Sequence, residues 1–81
     1  MSEGELQRTV GRNLRAYREA KGLSQESFAD LLGYHRTYVG GLERGERNLT
    51  LKSVERIAAQ IKVEPVVLLT PDQTELFART R

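Results

Sequence analysis

The chain has 81 residues and no cysteine. Neither a disulfide nor a thiolate metal site can therefore staple it, which fits a reducing compartment. It has a single histidine, His35, and no paired carboxylates in a setting that suggests a pocket. Nucleophilic, acid–base and metal-dependent catalysis all lack their residue sets, so the sequence reads as a non-enzyme with no cofactor and no metal. Long apolar runs are missing too. The longest, residues 66–69, is far too short to span a bilayer. The opening stretch MSEGE is acidic and lacks an apolar core, which excludes a signal peptide there. No strand alternation, internal repeat, low-complexity tract or linker is visible elsewhere. The expectation is a soluble protein with no membrane role.

What remains is room for one domain, expected to span 1–81. A chain of this size buries only about 60–65% of its unfolded surface, so self-association is a natural supplement to a marginal monomer. Thirteen basic residues against eleven acidic ones give a net charge of +2. That total is ordinary, and its distribution says more. Arg8, Arg12, Arg15 and Arg18 fall on the first predicted helix. Arg36, Arg44 and Arg47 fall on or just beyond the third. A basic face on a nearly neutral protein suits a nucleic-acid surface.

Apolar periodicity gives an all-α chain. Leu6, Val10, Leu14 and Tyr17 recur at helical spacing and predict helix 1 over about 5–20, with Gly22 as its stop. Gly11 reads as an internal weakness of about 1 kcal/mol relative to alanine. Ser24 caps a helix over 25–32, and His35 precedes one over 36–44. Thr50 caps a fourth helix, whose stripe is Leu51, Val54, Ile57, Ala58 and Ile61. Pro65 opens a fifth at its first position. Thr70 with Gln73 reads as a capping box, and Pro71 as the first residue of a last helical segment over about 71–79.

Residues 25–44 carry the most specific signal. Phe28, Leu32, Val39 and Leu42 are apolar where two short crossed helices share a core. Ala29 is small at their closest approach. Gly33 stands where the first of them ends, in the left-handed conformation that costs glycine nothing. Tyr34 tucks the turn back under. A turn of about three residues makes the second helix cross the first steeply, which is the grammar of a helix-turn-helix.

The segment 35–48, HRTYVGGLERGERN, followed by LTLKS, resembles the lambda-repressor-like helix-turn-helix family of Cro/CI or XRE type. Within it the segment is most similar to the controller proteins of restriction–modification systems. The resemblance covers about residues 6–69. It implies a compact five-helix DNA-binding domain with a short C-terminal helical extension. Gly40 departs from the pattern, where those proteins usually carry serine. Two adjacent glycines, Gly40 and Gly41, weaken a helix by about 2 kcal/mol together. The end of helix 3 is thus expected to order fully only on DNA.

Position assigns roles within this frame. Arg36 enters the major groove first, where its planar fork can bond guanine O6 and N7 together; the alternative is a phosphate contact or a solvated side chain. Thr37 can offer a hydroxyl or a methyl to a base, or contact the backbone alone. Tyr38 touches a phosphate or sugar, or packs at the motif's edge. Gly41 stands where related repressors often carry a base-reading side chain, and nothing can reach from it. Arg44, Arg47 and Asn48 look like phosphate clamps, which supply affinity without sequence information; Asn48 could equally shape the turn. The resemblance adds a phosphate contact from Gln25 at the start of helix 2. It also adds a structural ion pair between Arg18 and Glu43. His35 reads as a cap or phosphate neighbour.

After Pro65 the family pattern is polar, whereas this chain has Val66 and Val67. With Leu68 turned inward, Val66, Val67 and Leu69 face outward and predict an isologous dimer within about 61–79, extended by Phe77. The expected partners are double-stranded DNA with a pseudo-palindromic operator, a second copy of the chain, and RNA polymerase, with no small-molecule effector. The resemblance places such a regulator in a prokaryotic cytoplasm, on the nucleoid. An antitoxin of a toxin–antitoxin pair and an orphan or phage-type repressor are the competing readings.

Overall fold

The computed structural model describes residues 2–79; residues 1, 80 and 81 of the expected 1–81 domain lie outside it. Among the described residues the secondary structure is entirely helical. The order is α1 (Glu5–Ala20), α2 (Gln25–Leu32), α3 (Arg36–Glu43), α4 (Leu51–Gln60), α5 (Pro65–Leu69) and α6 (Thr74–Arg79).

Each boundary has a local cause. α1 ends where Gly22 takes φ +69°. The Ser24 hydroxyl accepts from the Ser27 amide at 3.0 Å and caps α2. Gly33 turns left-handed after α2, and the Tyr34 amide closes back on the Ala29 carbonyl at 2.9 Å. Gly45 (φ +73°) and a 2.9 Å bond from the Glu46 amide to the Gly41 carbonyl close α3 in the same way. Thr50 caps α4 through the Ser53 amide at 3.0 Å. Pro65 opens α5.

The core is one cluster. Val10 and Leu14 of α1 meet Phe28 and Leu32 of α2, Val39 and Leu42 of α3, and Val54, Ile57 and Ala58 of α4. Leu68 of α5 closes it and is fully buried. Burying each of these larger side chains contributes about 1.5–3 kcal/mol. α3 runs unbroken through Gly40 and Gly41, both buried. The partly formed end expected from their weak helix propensity is not what the fold contains.

Two elements depart from the sequence reading. Asn13, a polar residue next to the apolar stripe of α1 and given no role by the sequence, is 2% exposed. Its amide nitrogen donates to the carbonyls of Leu68 at 2.9 Å and Thr70 at 2.8 Å, and lies 3.3 Å from that of Val67. It thereby satisfies the last carbonyls of α5 and ties α1 to the helix that holds the valines.

The C-terminal segment is the second. The Thr70 hydroxyl donates back to the Val66 carbonyl at 2.6 Å, so no capping box forms. Asp72 turns left-handed (φ +68°), and α6 begins at Thr74, not at Pro71. That offset aims Phe77 inward. Its ring is fully buried and meets Tyr17 edge-on, with centroids 5.6 Å apart. Phe77 is therefore a core residue that fastens α6 to α1, and its expected place at a dimer interface is corrected.

Candidate nucleic-acid interface

Recognition by a helix-turn-helix needs one helix presented at a fixed angle with its first turn exposed. Residues 33–35 provide the turn. The Nδ1 atom of His35 accepts from the Thr37 amide at 3.2 Å and caps α3. Arg36 and Thr37 follow, both exposed. Arg36 makes no ion pair or hydrogen bond among the described residues. A cation at a helix N-terminus meets the positive end of the dipole, which disfavours it by a few tenths of a kcal/mol. The fold gains nothing from an arginine there. An anionic partner would.

The other end of α3 is anchored. Arg18 Nε donates to Glu43 Oε2 at 2.7 Å, and Nη2 donates to Oε1 at 3.1 Å, a parallel fork. Their side chains are only 14% and 4% exposed. Hydrogen bonding to Glu43 pushes the guanidinium pKa further up, against the opposing pull of burial. Arg18 Nη1 also donates to the Leu23 carbonyl at 3.0 Å, so one side chain ties α1, the α1–α2 loop and α3 together. Gln25 joins this cluster: its amide donates to Glu43 Oε1 at 3.1 Å. The carboxylate is thus neutralised and turned inward, which removes its repulsion for a phosphate backbone.

The loop after α3 brings Arg44, Arg47 and Asn48 to the same end of the helix, all exposed. Arg44 pairs with Glu46 at 3.1 Å in solvent, a contact of little energy that a phosphate can replace. Arg47 lies with its guanidinium 5.2 Å from the centre of the Tyr38 ring. Asn48 accepts from Gln7 Nε2 at 2.6 Å, and the same nitrogen approaches the Arg47 carbonyl at 3.2 Å. Asn48 and Gln7 hence fix the loop to α1. The role of Gln7 has no signal in the sequence, because its partners lie about forty positions away.

On the α5 side, Leu68 points inward and Val66 is 63% exposed, while Val67 and Leu69 are half-buried. Leu69 lines a shallow apolar recess of about 100 Å³ with Leu6, Val10, Leu49, Leu51 and Val54. Leu51 is 77% exposed. Val66 and Leu69 stand one turn apart on a common face, so the exposed apolar surface runs from α5 to the starts of α1 and α4. Leu6 and Leu51 belong to the apolar stripes of α1 and α4 yet are exposed, because periodicity cannot separate an outward-facing end of a stripe from a buried one.

The helix-turn-helix family model HTH_3 matches residues 14–68, from the second half of α1 through Leu68. The chain belongs to the XRE-type helix-turn-helix family. It is similar to Control protein C.SmaI of Serratia marcescens, at 39% identity over 82% of this chain and 79% of that protein. The crystal structure of a hypothetical transcription factor from Neisseria superposes with a TM-score of 0.77. Identity there is 38%, covering 94% of this chain and 87% of the other. The restriction–modification controller protein C.Esp1396I, solved as a tetramer in complex with its natural 35 base-pair operator, superposes at 0.67. Identity there is 36%, covering 90% of each chain. α6 lies beyond the segment that the family model matches. Among the described residues no helix is long and apolar enough to cross a membrane, and no cluster of three or more acidic or histidine side chains is arranged to hold a metal ion.

Proposed function

We propose that this protein is a sequence-specific DNA-binding transcriptional regulator that acts as a homodimer on a pseudo-palindromic operator, and that it is an autoregulatory controller of a restriction–modification system. The observation that carries this reading is Arg36: an exposed, unpaired guanidinium at the start of a helix capped at one end and anchored at the other. In the major groove it reads guanine O6 and N7 as a fork. Thr37 lies beside it for a base or sugar contact. Arg44 exchanges Glu46 for a phosphate oxygen and supplies salt-dependent affinity.

The exposed surface of Val66, Leu69 and Leu51 supports self-association through a twofold axis. Such a dimer sets two copies of α3 about 34 Å apart, one turn of DNA. Regulation then follows from protein concentration. The dimer occupies one site beside RNA polymerase and a second site as it accumulates, in a prokaryotic cytoplasm. Footprinting across the DNA upstream of the protein's own gene tests this. Protection of paired half-sites one helical turn apart is expected. No protection at micromolar protein would overturn the reading.

A further inference from the structure

Gly41 leaves the middle of α3 without a side chain, yet the space beside it is filled. A Cβ built on Gly41 would stand 2.8 Å from Nε of Arg47, 3.1 Å from its Cγ and 3.4 Å from its Cδ. The stem of Arg47 therefore lies flat across the recognition helix at Gly41, where the helix offers no side chain of its own.

The head of Arg47 is held as well. Its guanidinium sits 5.2 Å from the Tyr38 ring centre, and Tyr38 is one turn before Gly41 on the same face. The Tyr38 ring packs on that of Tyr34 with centroids 4.8 Å apart. Tyr34 in turn carries the Arg56 guanidinium 4.7 Å from its own centre. Arg56 is fixed from α4 by a 3.0 Å bond from Nη2 to the Leu32 carbonyl, the end of α2. The result is a continuous row of contacts, Arg56–Tyr34–Tyr38–Arg47, that begins in α4, crosses the turn of the motif and ends on the face of α3, with the two rings tilted 59° to each other. Two rings between two cations share favourable contacts along its length.

We propose that this row of contacts, with the gap at Gly41, is a positioning device that presents Arg47 to DNA as the side chain α3 lacks. It makes Gly41, Tyr34 and Arg56 positioning residues for DNA binding. The inference rests on the regulatory reading above. It goes beyond the sequence expectation, in which Arg47, with Arg44 and Asn48, was a phosphate clamp. A free arginine loses rotamer entropy on binding, whereas a pre-stacked one has already lost most of it. A residue at 41 larger than glycine would take that place and displace the arginine. Because the nearest atoms belong to a flexible side chain, such a residue would not disturb the fold.

The test uses Gly41→Ala, Arg47→Ala and their double variant, in thermal unfolding and in binding to the protein's own upstream DNA. Gly41→Ala should raise thermal stability, since alanine is the better helix former. It should nevertheless weaken binding on the order of tenfold, as one charge-assisted contact does. Arg47→Ala should weaken binding to the same extent, and the double variant no further. Tyr34→Leu should weaken binding too, and Tyr34→Phe, which keeps the ring, should restore it. In the free protein, the Arg47 Nε–H resonance should show a ring-current shift that Gly41→Ala abolishes. Wild-type affinity in Gly41→Ala, additive losses in the double variant, or an unshifted Arg47 resonance would each overturn the inference while leaving the regulatory reading intact. Wild-type protein that binds no duplex would remove both.

Discussion

Gly11 in α1 lies directly against the backbone carbonyl of Leu42 in α3. A Cβ at Gly11 would stand 2.7 Å from the Glu43 carbonyl oxygen, and nearer still to that of Leu42. Both obstacles are backbone, so they cannot swing aside as a side chain would. In a free helix Gly11→Ala would gain about 1 kcal/mol. Here the steric cost of about 1–3 kcal/mol exceeds it, and any relief must push α3 away from α1. Gly11→Ala should therefore lower the urea midpoint and weaken DNA binding together. A raised midpoint would mean that the two helices have slack between them.

The Arg18–Glu43 fork holds the same pair of helices by charge. With both side chains largely buried, removing one partner leaves the other uncompensated, and Arg18→Ala or Glu43→Ala should each cost about 3 kcal/mol. The double variant should cost less than the two together; additive losses would mean that the pair is not coupled. The pH dependence has a definite sign. Arg18 is held above its unfolded value, so its contribution is complete below that value and is lost only as pH climbs through the folded one, in strong alkali. Between roughly pH 5 and 9 Arg18 adds no slope to stability.

Asn13 works by hydrogen bonding alone. Asn13→Ala would leave the buried carbonyl of Leu68 and the part-buried one of Thr70 without this donor, at about 1–3 kcal/mol. Asn13→Leu should not recover that loss, because volume is not what the site lacks. Amide exchange should rise first across α5, the element these bonds hold, ahead of α1 and α3. Uniform exchange over all helices would assign the loss to general packing.

The contrast among these residues explains what the sequence revealed. Ser24, Gly33, Thr50 and Pro65 mark helix ends because their effects act within three or four positions: α2 begins after Ser24 and ends before Gly33, α4 begins after Thr50, and α5 begins at Pro65. Gly11 gave no such signal. In a linear reading it was a defect in a helix, and only the approach of Leu42, thirty-one positions on, turns it into a requirement. Asn13 likewise gave no signal, because the carbonyls it meets at Leu68 and Thr70 lie 55 and 57 positions on. Thr70 and Gln73 had the right spacing for a cap, but Asn13 already satisfies the carbonyl of Thr70 and the Thr70 hydroxyl turns to Val66. The helix therefore starts later, and Phe77 rotates inward. Local chemistry was legible, and contacts between distant helices became so only through the fold or through family resemblance.

Arg36 separates specificity from affinity. On the operator, Arg36→Ala should cost about 1–3 kcal/mol and relax the preference at one base pair in each half-site. On a scrambled duplex it should cost little, because the remaining basic residues still meet phosphates. Titrations of both duplexes at two salt concentrations measure the difference. Equal losses on the two would reduce Arg36 to a phosphate contact.

Val66 offers the cleanest test of assembly. At 63% exposure it has little packing to lose, so an aspartate there should leave helical circular dichroism and the unfolding midpoint near wild type. In a twofold interface the same change brings two carboxylates close together in apolar surroundings, where neither finds a partner. Val66→Asp should sediment as a monomer at concentrations where the wild type is dimeric. It should also lose specific DNA binding by about 10²–10⁴-fold, because the half-sites are no longer engaged by one linked pair. Val67→Asp should give the same monomer with some loss of stability, since Val67 is half-buried. Leu51→Asp tells how far the interface extends: a monomer would carry it onto α4, and a dimer would confine it to α5. If Val66→Asp itself remains dimeric, the two copies meet elsewhere, and the apolar face of α5 needs another explanation.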